Sequence, residues 1–158
     1  MTVHSLAPEV LGTDDDPLEL DALAPTGTYA LVFDVPECTV EVGALGKRRL
    51  SAGGYVYVGS AFGAGGLRRV LRHRRVAAGD HDARHWHVDY LSGHPDVSLA
   101  RVVCVADSDI ECEAAAALAD GPIAGFGSSD CDCESHLARY GGIDEATAAS
   151  SAVFREKG

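Results

Sequence analysis

The stretch 54–75 reads GYVYVGSAFGAGGLRRVLRHRR, and its three parts decide the fold. Residues 54–58 alternate, so a strand sets Tyr55 and Tyr57 on one face with Val56 and Val58 behind. Gly63, Gly65 and Gly66 then break the run. Helical spacing follows over about 67–76, with Leu67, Val70 and Leu71 as the apolar stripe and Arg69 and His73 one turn apart on another side. A strand that runs through a glycine turn into a helix predicts an α/β (α+β) domain.

That helix also concentrates charge. Arg68, Arg69, Arg72, Arg74 and Arg75 put five of the eleven arginines into eight residues with no acid among them, in a chain of formal net charge −11. Clustered like charge is costly unless an anion or acids neutralise it. Phosphate is the preferred anion, with Arg68, Arg72 and Arg75 as nucleic-acid contacts. The alternatives are a solvated face or neutralisation by the acidic N-terminal residues.

Upstream, residues 28–35 alternate with Tyr29, Leu31 and Phe33 on one face, and Pro36 ends the run. Cys38 to Val42 alternates again before Gly43 and Gly46. Three short, closely linked strands predict an antiparallel sheet with Tyr29 and Tyr57 on neighbouring strands and the same face. Residues 1–26 hold Glu9, Asp14, Asp15, Asp16, Glu19 and Asp21, three prolines and no Lys or Arg, which predicts an acidic flexible arm.

Downstream, His85 to Leu91 reads as a compact helical segment and Val97 to Val105 as a strand. Ser108-Asp109-Ile110-Glu111 matches a capping box, so a helix is expected over 109–119, stopped by Gly121-Pro122. Its stripe is Ile110, Ala114, Ala117 and Leu118, and Glu113 is read as falling within it. A carboxylate on an inward face needs a cationic partner or a metal. Residues after Gly125 read as loop and 141–158 as a C-terminal tail, leaving 27–140 as the single domain.

Composition narrows the class. With 158 residues and 46% hydrophobic content the chain is globular. No apolar run reaches membrane-spanning length and the first residues do not follow a signal-peptide pattern, so a cytoplasmic protein with no membrane partner is expected. Two lysines against 24 acids give the look of a halophilic protein. Five irregularly spaced cysteines do not form a disulfide framework. The glycines of 59–66 lack both the Gly-Lys-Ser/Thr ending and the Gly-x-Gly-x-x-Gly pattern of nucleotide loops.

Gly27-Thr28-Tyr29 and Tyr57-Val58-Gly59, followed by Arg69 and His73, resemble the motifs of the GIY-YIG nuclease superfamily, with Val in place of Ile. Residues 54–61, His85-Trp86-His87-Val88-Asp89-Tyr90 and 126–137 are similar to one subfamily of it. Its members are small stand-alone proteins or domains joined to endonuclease III-type DNA glycosylases. The resemblance implies a small, mostly antiparallel sheet flanked by helices, and one-metal hydrolysis of a DNA phosphodiester, in a DNA-repair setting. Arg69 would bind the scissile phosphate, Tyr29 and Tyr57 would orient or deprotonate the attacking water, and His73 would assist proton transfer or hold phosphate. Glu113, with Glu111 as runner-up, would hold Mg²⁺ or Mn²⁺. The alternative is a non-catalytic nucleic-acid-binding module that recruits a repair glycosylase.

Cys131, Cys133 and His136, with Cys112 on the Glu113 helix, are soft donors of the kind zinc takes. Cys131 and Cys133 point opposite ways on an extended chain, so packing thiols is the preferred reading and zinc is not assigned.

Overall fold

Everything is arranged around one strand, β2 (Gly27–Val35), which pairs antiparallel with β5 (Gly53–Ala61) on one side and with β6 (Ser98–Ala106) on the other. In this computed structural model, residues 3–20, 25–79, 87–118, 123, 126 and 135–158 are described. Among them, β1 (Val3–Leu6) pairs with the far edge of β6 and β7 (Leu137–Tyr140) with the far edge of β5. The five-stranded order is β1-β6-β2-β5-β7, all antiparallel. The expected mixed α/β single domain is present.

Both faces of the sheet are covered, which is why β2 is buried at every residue but Asp34. On one face Tyr29, Leu31, Phe33, Tyr55 and Tyr57 form a core with Leu67, with Val70 of α1 (Arg69–Ala77) and with Val88 and Leu91 of α2 (His87–Ser92). On the other, Ala30, Val32, Val56, Val58, Val103 and Val105 meet α3 (Glu111–Ala117) and α4 (Ile143–Lys157) through Ala114, Ala146 and Phe154. Burying each large apolar side chain stabilises the fold by about 1.5–3 kcal/mol. A methyl group on Gly27 would meet the Val105 carbonyl oxygen at 2.2 Å, so glycine there lets β2 and β6 close. Among the described residues no helix is long and apolar enough to cross a membrane.

Three sequence expectations need correction. The segment 38–42 does form a strand, β3 (Cys38–Glu41), but it pairs with β4 (Lys47–Leu50) in a separate hairpin. The supposed acidic arm is built into the fold. Beyond β1, its Leu11, Leu18 and Leu20 enter the core, and the buried Asp16 carboxylate accepts hydrogen bonds from the N–H groups of Gly12, Leu18 and Leu20. The supposed tail is the 15-residue α4, packed on the sheet through Ala146 and Phe154. The Glu145 carboxylate accepts from the Gly141 N–H near its start.

Candidate active site

The Tyr-x-Gly end of β5 explains its own glycine. Gly59 sits opposite Tyr29 in the β2–β5 register, and a Cβ there would lie 2.4 Å from the Tyr29 ring. The phenol lies over that gap and reaches α1, where its hydroxyl is 2.8 Å from His73 Nε2. Tyr57 completes a triangle, its ring centroid 6.4 Å from those of both Tyr29 and His73. The expected shared face of the two tyrosines is therefore observed. Tyr29 is 1% exposed, His73 0% and Tyr57 8%.

Burial governs the protons of this cluster. It lowers the His73 imidazole to a pKa of about 3, with Arg72 and Arg69 acting the same way against the opposing pull of Asp89. Burial also raises the Tyr29 phenol well above its usual value; Tyr57 and Glu111 add to this, and Arg69 opposes it. Both groups are neutral near pH 7. One proton is shared across the 2.8 Å contact, donated by the phenol or by Nε2–H according to the imidazole tautomer. Arg69 opposes the rise in the Tyr29 pKa and donates from Nη1 to the Ser60 carbonyl at 2.7 Å.

The other arginines of α1 divide into two kinds. Arg72 grips the buried Asp89 carboxylate of α2 with two bonds of 2.9 Å, a structural ion pair that ties α1 to α2. Arg74 donates to the Pro8 and Leu11 carbonyls and Arg68 to the Leu20 carbonyl. The N-terminal segment thus meets the cationic stretch through its backbone oxygens. Arg68 and Arg75 remain exposed.

A second cluster is fixed from the opposite face of β2. The Thr28 hydroxyl donates to the Ser108 carbonyl at 2.7 Å and accepts from the Ile110 N–H at 3.1 Å, pinning the start of α3. The N-cap is Ile110 rather than Ser108, and its side chain cannot cap. With about 100° per residue, the observed stripe Ile110, Ala114, Leu118 centres on Ala114, about 60° from Glu111 and about 100° from Glu113. Glu113 is accordingly exposed, which corrects its expected place on the inward face. Glu111 is the glutamate whose field reaches Tyr29.

Glu111 Oε2 lies 3.6 Å from His136 Nδ1, and with Cys112 Sγ the three donor atoms fall within 4.8 Å of one another. His136 is held against β5: its N–H donates to the Phe126 carbonyl at 2.8 Å and its carbonyl accepts from Val58 N–H at 3.0 Å. Burial lowers its pKa and keeps the ring neutral, the ligand form. A carboxylate, a thiol and a neutral imidazole this close fit a divalent ion. Cys131 and Cys133, with His85 and Trp86, lie outside the described residues.

Sequence reasoning gave Asp89 no role, although it stands inside the quoted His-Trp-His-Val-Asp-Tyr run; its apolar neighbours Val88 and Leu91 were the available signal that this segment is buried.

The family model described as Domain of unknown function DUF123 matches residues 28–158, and the chain belongs to this family. The match runs through β7 and α4, in keeping with their place in the sheet and on it. No curated protein and no solved structure matches the chain.

Proposed function

We propose that this member of the DUF123 family is a divalent-metal-dependent endonuclease that hydrolyses DNA phosphodiester bonds, as its likeness to the GIY-YIG nucleases implies. The observation that supports the reading is the 2.8 Å contact from the Tyr29 hydroxyl to His73 Nε2, with Tyr57 beside it and with Arg69 and Glu111 both acting on the phenol's proton affinity. A neutral phenol that donates to His73 keeps oxygen lone pairs free to accept a hydrogen from an attacking water. The water's proton passes to Tyr29 as the phenolic proton passes to the imidazole. An approaching phosphate raises the proton affinity of His73, so the substrate's own charge readies this relay. Arg69 would bind the scissile phosphate, where charge develops.

Glu111, with His136 and Cys112 beside it, would hold the divalent ion. When bound, such an ion supplies charge neutralisation at the phosphate and at the leaving oxygen. Arg75 and Arg68, exposed on the cationic segment, suit flanking phosphates. DNA is the partner this surface fits, and a repair glycosylase is the protein partner the resemblance implies.

The near-complete burial of Tyr29 and His73 favours a second reading, a nucleic-acid-binding module without catalysis. Incubation with branched, damaged, single-stranded and plain duplex DNA in Mg²⁺, Mn²⁺ or Zn²⁺, at high salt as well as low, separates the two. The nuclease reading expects cleavage of one of these substrates, reduced about 10²-fold or more in Tyr29→Phe. DNA binding with a steep salt dependence and no cutting in any condition replaces it with the binding module.

A further inference from the structure

We propose that Glu111, Cys112 and His136 form a binding site for a zinc-class ion, so that the metal of this protein is held by sulfur and nitrogen as well as oxygen. The inference deepens the nuclease reading and rests on it for what the ion does; the site itself rests on geometry. The set comes from two separate parts of the chain. Glu111 and Cys112 open α3, whose start is pinned by the Thr28 hydroxyl, and His136 precedes β7, anchored by its backbone to Phe126 and Val58. Two independent elements of the fold thus deliver three donor atoms to one place.

The distances suit a small tetrahedral ion. With bonds of about 2.0–2.3 Å, neighbouring ligands lie about 3.3–3.7 Å apart. The Glu111 Oε2 to His136 Nδ1 separation is already 3.6 Å. The full set lies within 4.8 Å, so bringing in the remaining donor takes about one ångström of side-chain movement. That movement belongs to the exposed Cys112 and the 24%-exposed Glu111, both at the surface, while the 1%-exposed imidazole stays fixed beneath them.

Donor chemistry selects the ion. Magnesium takes oxygen ligands in a near-octahedral shell, and a thiolate with an imidazole is a poor set for it. Thiolate and imidazole suit zinc, or cobalt in its place. A thiolate and a carboxylate balance the two positive charges of the ion. Among the described residues three donors converge, and with three protein donors a zinc ion keeps a fourth position, the pattern of catalytic rather than structural zinc.

The test uses Co²⁺ as a spectroscopic probe on the full chain stripped of metal. The expected result is one equivalent of Co²⁺ bound with a thiolate-to-cobalt charge-transfer band, displaced by Zn²⁺ and untouched by millimolar Mg²⁺. Cys112→Ser, at an exposed position, should lose the band while keeping the far-ultraviolet circular dichroism of the parent. Glu111→Gln and His136→Gln should weaken Co²⁺ binding about tenfold or more, and Glu113→Gln should leave it unchanged. A band that survives in Cys112→Ser, no band in the parent, or displacement by Mg²⁺ overturns the site. An intact band in a protein that cuts no DNA with any metal upholds the site and overturns the nuclease reading alone.

Discussion

Two clusters, one around Tyr29 and one around Glu111, differ in how far they are buried. The Tyr29–His73 pair is sealed, its phenol set over the missing side chain of Gly59 and its imidazole backed by α2, whose Asp89 is tied to Arg72. The Glu111–Cys112–His136 group has one buried ring below a carboxylate and a thiol at the surface. Packing decides protonation in the first, because burial moves both pKa values away from neutrality and in opposite directions. In the second the carboxylate and the thiol lie nearer the surface than the imidazole. One protein therefore keeps a sealed proton-handling unit and a more exposed ligand-holding one.

The strongest way to break that contrast is to remove what stiffens the sealed cluster. Asp89→Ala strands the Arg72 guanidinium, 22% exposed, beside α2 and should cost about 3–5 kcal/mol, less whatever residual solvation returns. Chemical denaturation measures it, and a loss below about 1 kcal/mol would show that the α1–α2 ion pair is not what braces His73.

A second test turns on pH. His73 binds a proton at about 3 in the folded chain against 6.5 when unfolded, so the unfolded state takes up more protons between those values. Its contribution to stability is complete above about pH 6.5 and is lost as pH falls toward 3, at up to about 1.4 kcal/mol per pH unit. His136 pulls in the same direction. Denaturation midpoints across that window should fall steeply in the parent and less steeply in His73→Gln. Parallel profiles would assign the titration to other groups.

The smallest effect belongs to the glutamate that the open cluster does not use. Glu113→Gln should change stability by no more than about 0.5 kcal/mol and leave cutting unaltered. Glu111→Gln should abolish cutting. The reverse pattern in a cleavage assay would return the metal to Glu113 and dissolve the comparison.

What the sequence disclosed follows the reach of local signals. β2, β5 and α1 were legible because alternation, a glycine junction and a helical stripe are each contained in a few residues. β1 and β7 are four residues long and exist through pairing with β6 and β5, which no short window contains. β4 reads Lys-Arg-Arg-Leu, three exposed polar residues with one buried apolar residue, so it carries no alternation to detect. The buried face of α4 includes Ala146, Ser150 and Phe154, too little bulk to register as a stripe. At the site, Tyr29, Tyr57, Arg69 and His73 were found and are brought together. The inward placement of Glu113 does not hold because α3 starts at Glu111, with its approach pinned by Thr28 about eighty positions earlier, a contact no local window contains.

β1 has a consequence for the order in which the molecule is assembled. It is the earliest strand of the sheet in chain order, yet its partner is β6, with Val3 opposite Val105. During synthesis β2 and β5 can zip together across the short span that separates them, while Val3–Leu6 waits for nearly a hundred further residues to emerge. Over that interval the second edge of β2 is bare, a template for strands of other chains as much as for β6. The segment around β1 is then a late clasp: its strand closes outside β6 and its carbonyls receive Arg68 and Arg74, so residues made well before β6 find their places only after it.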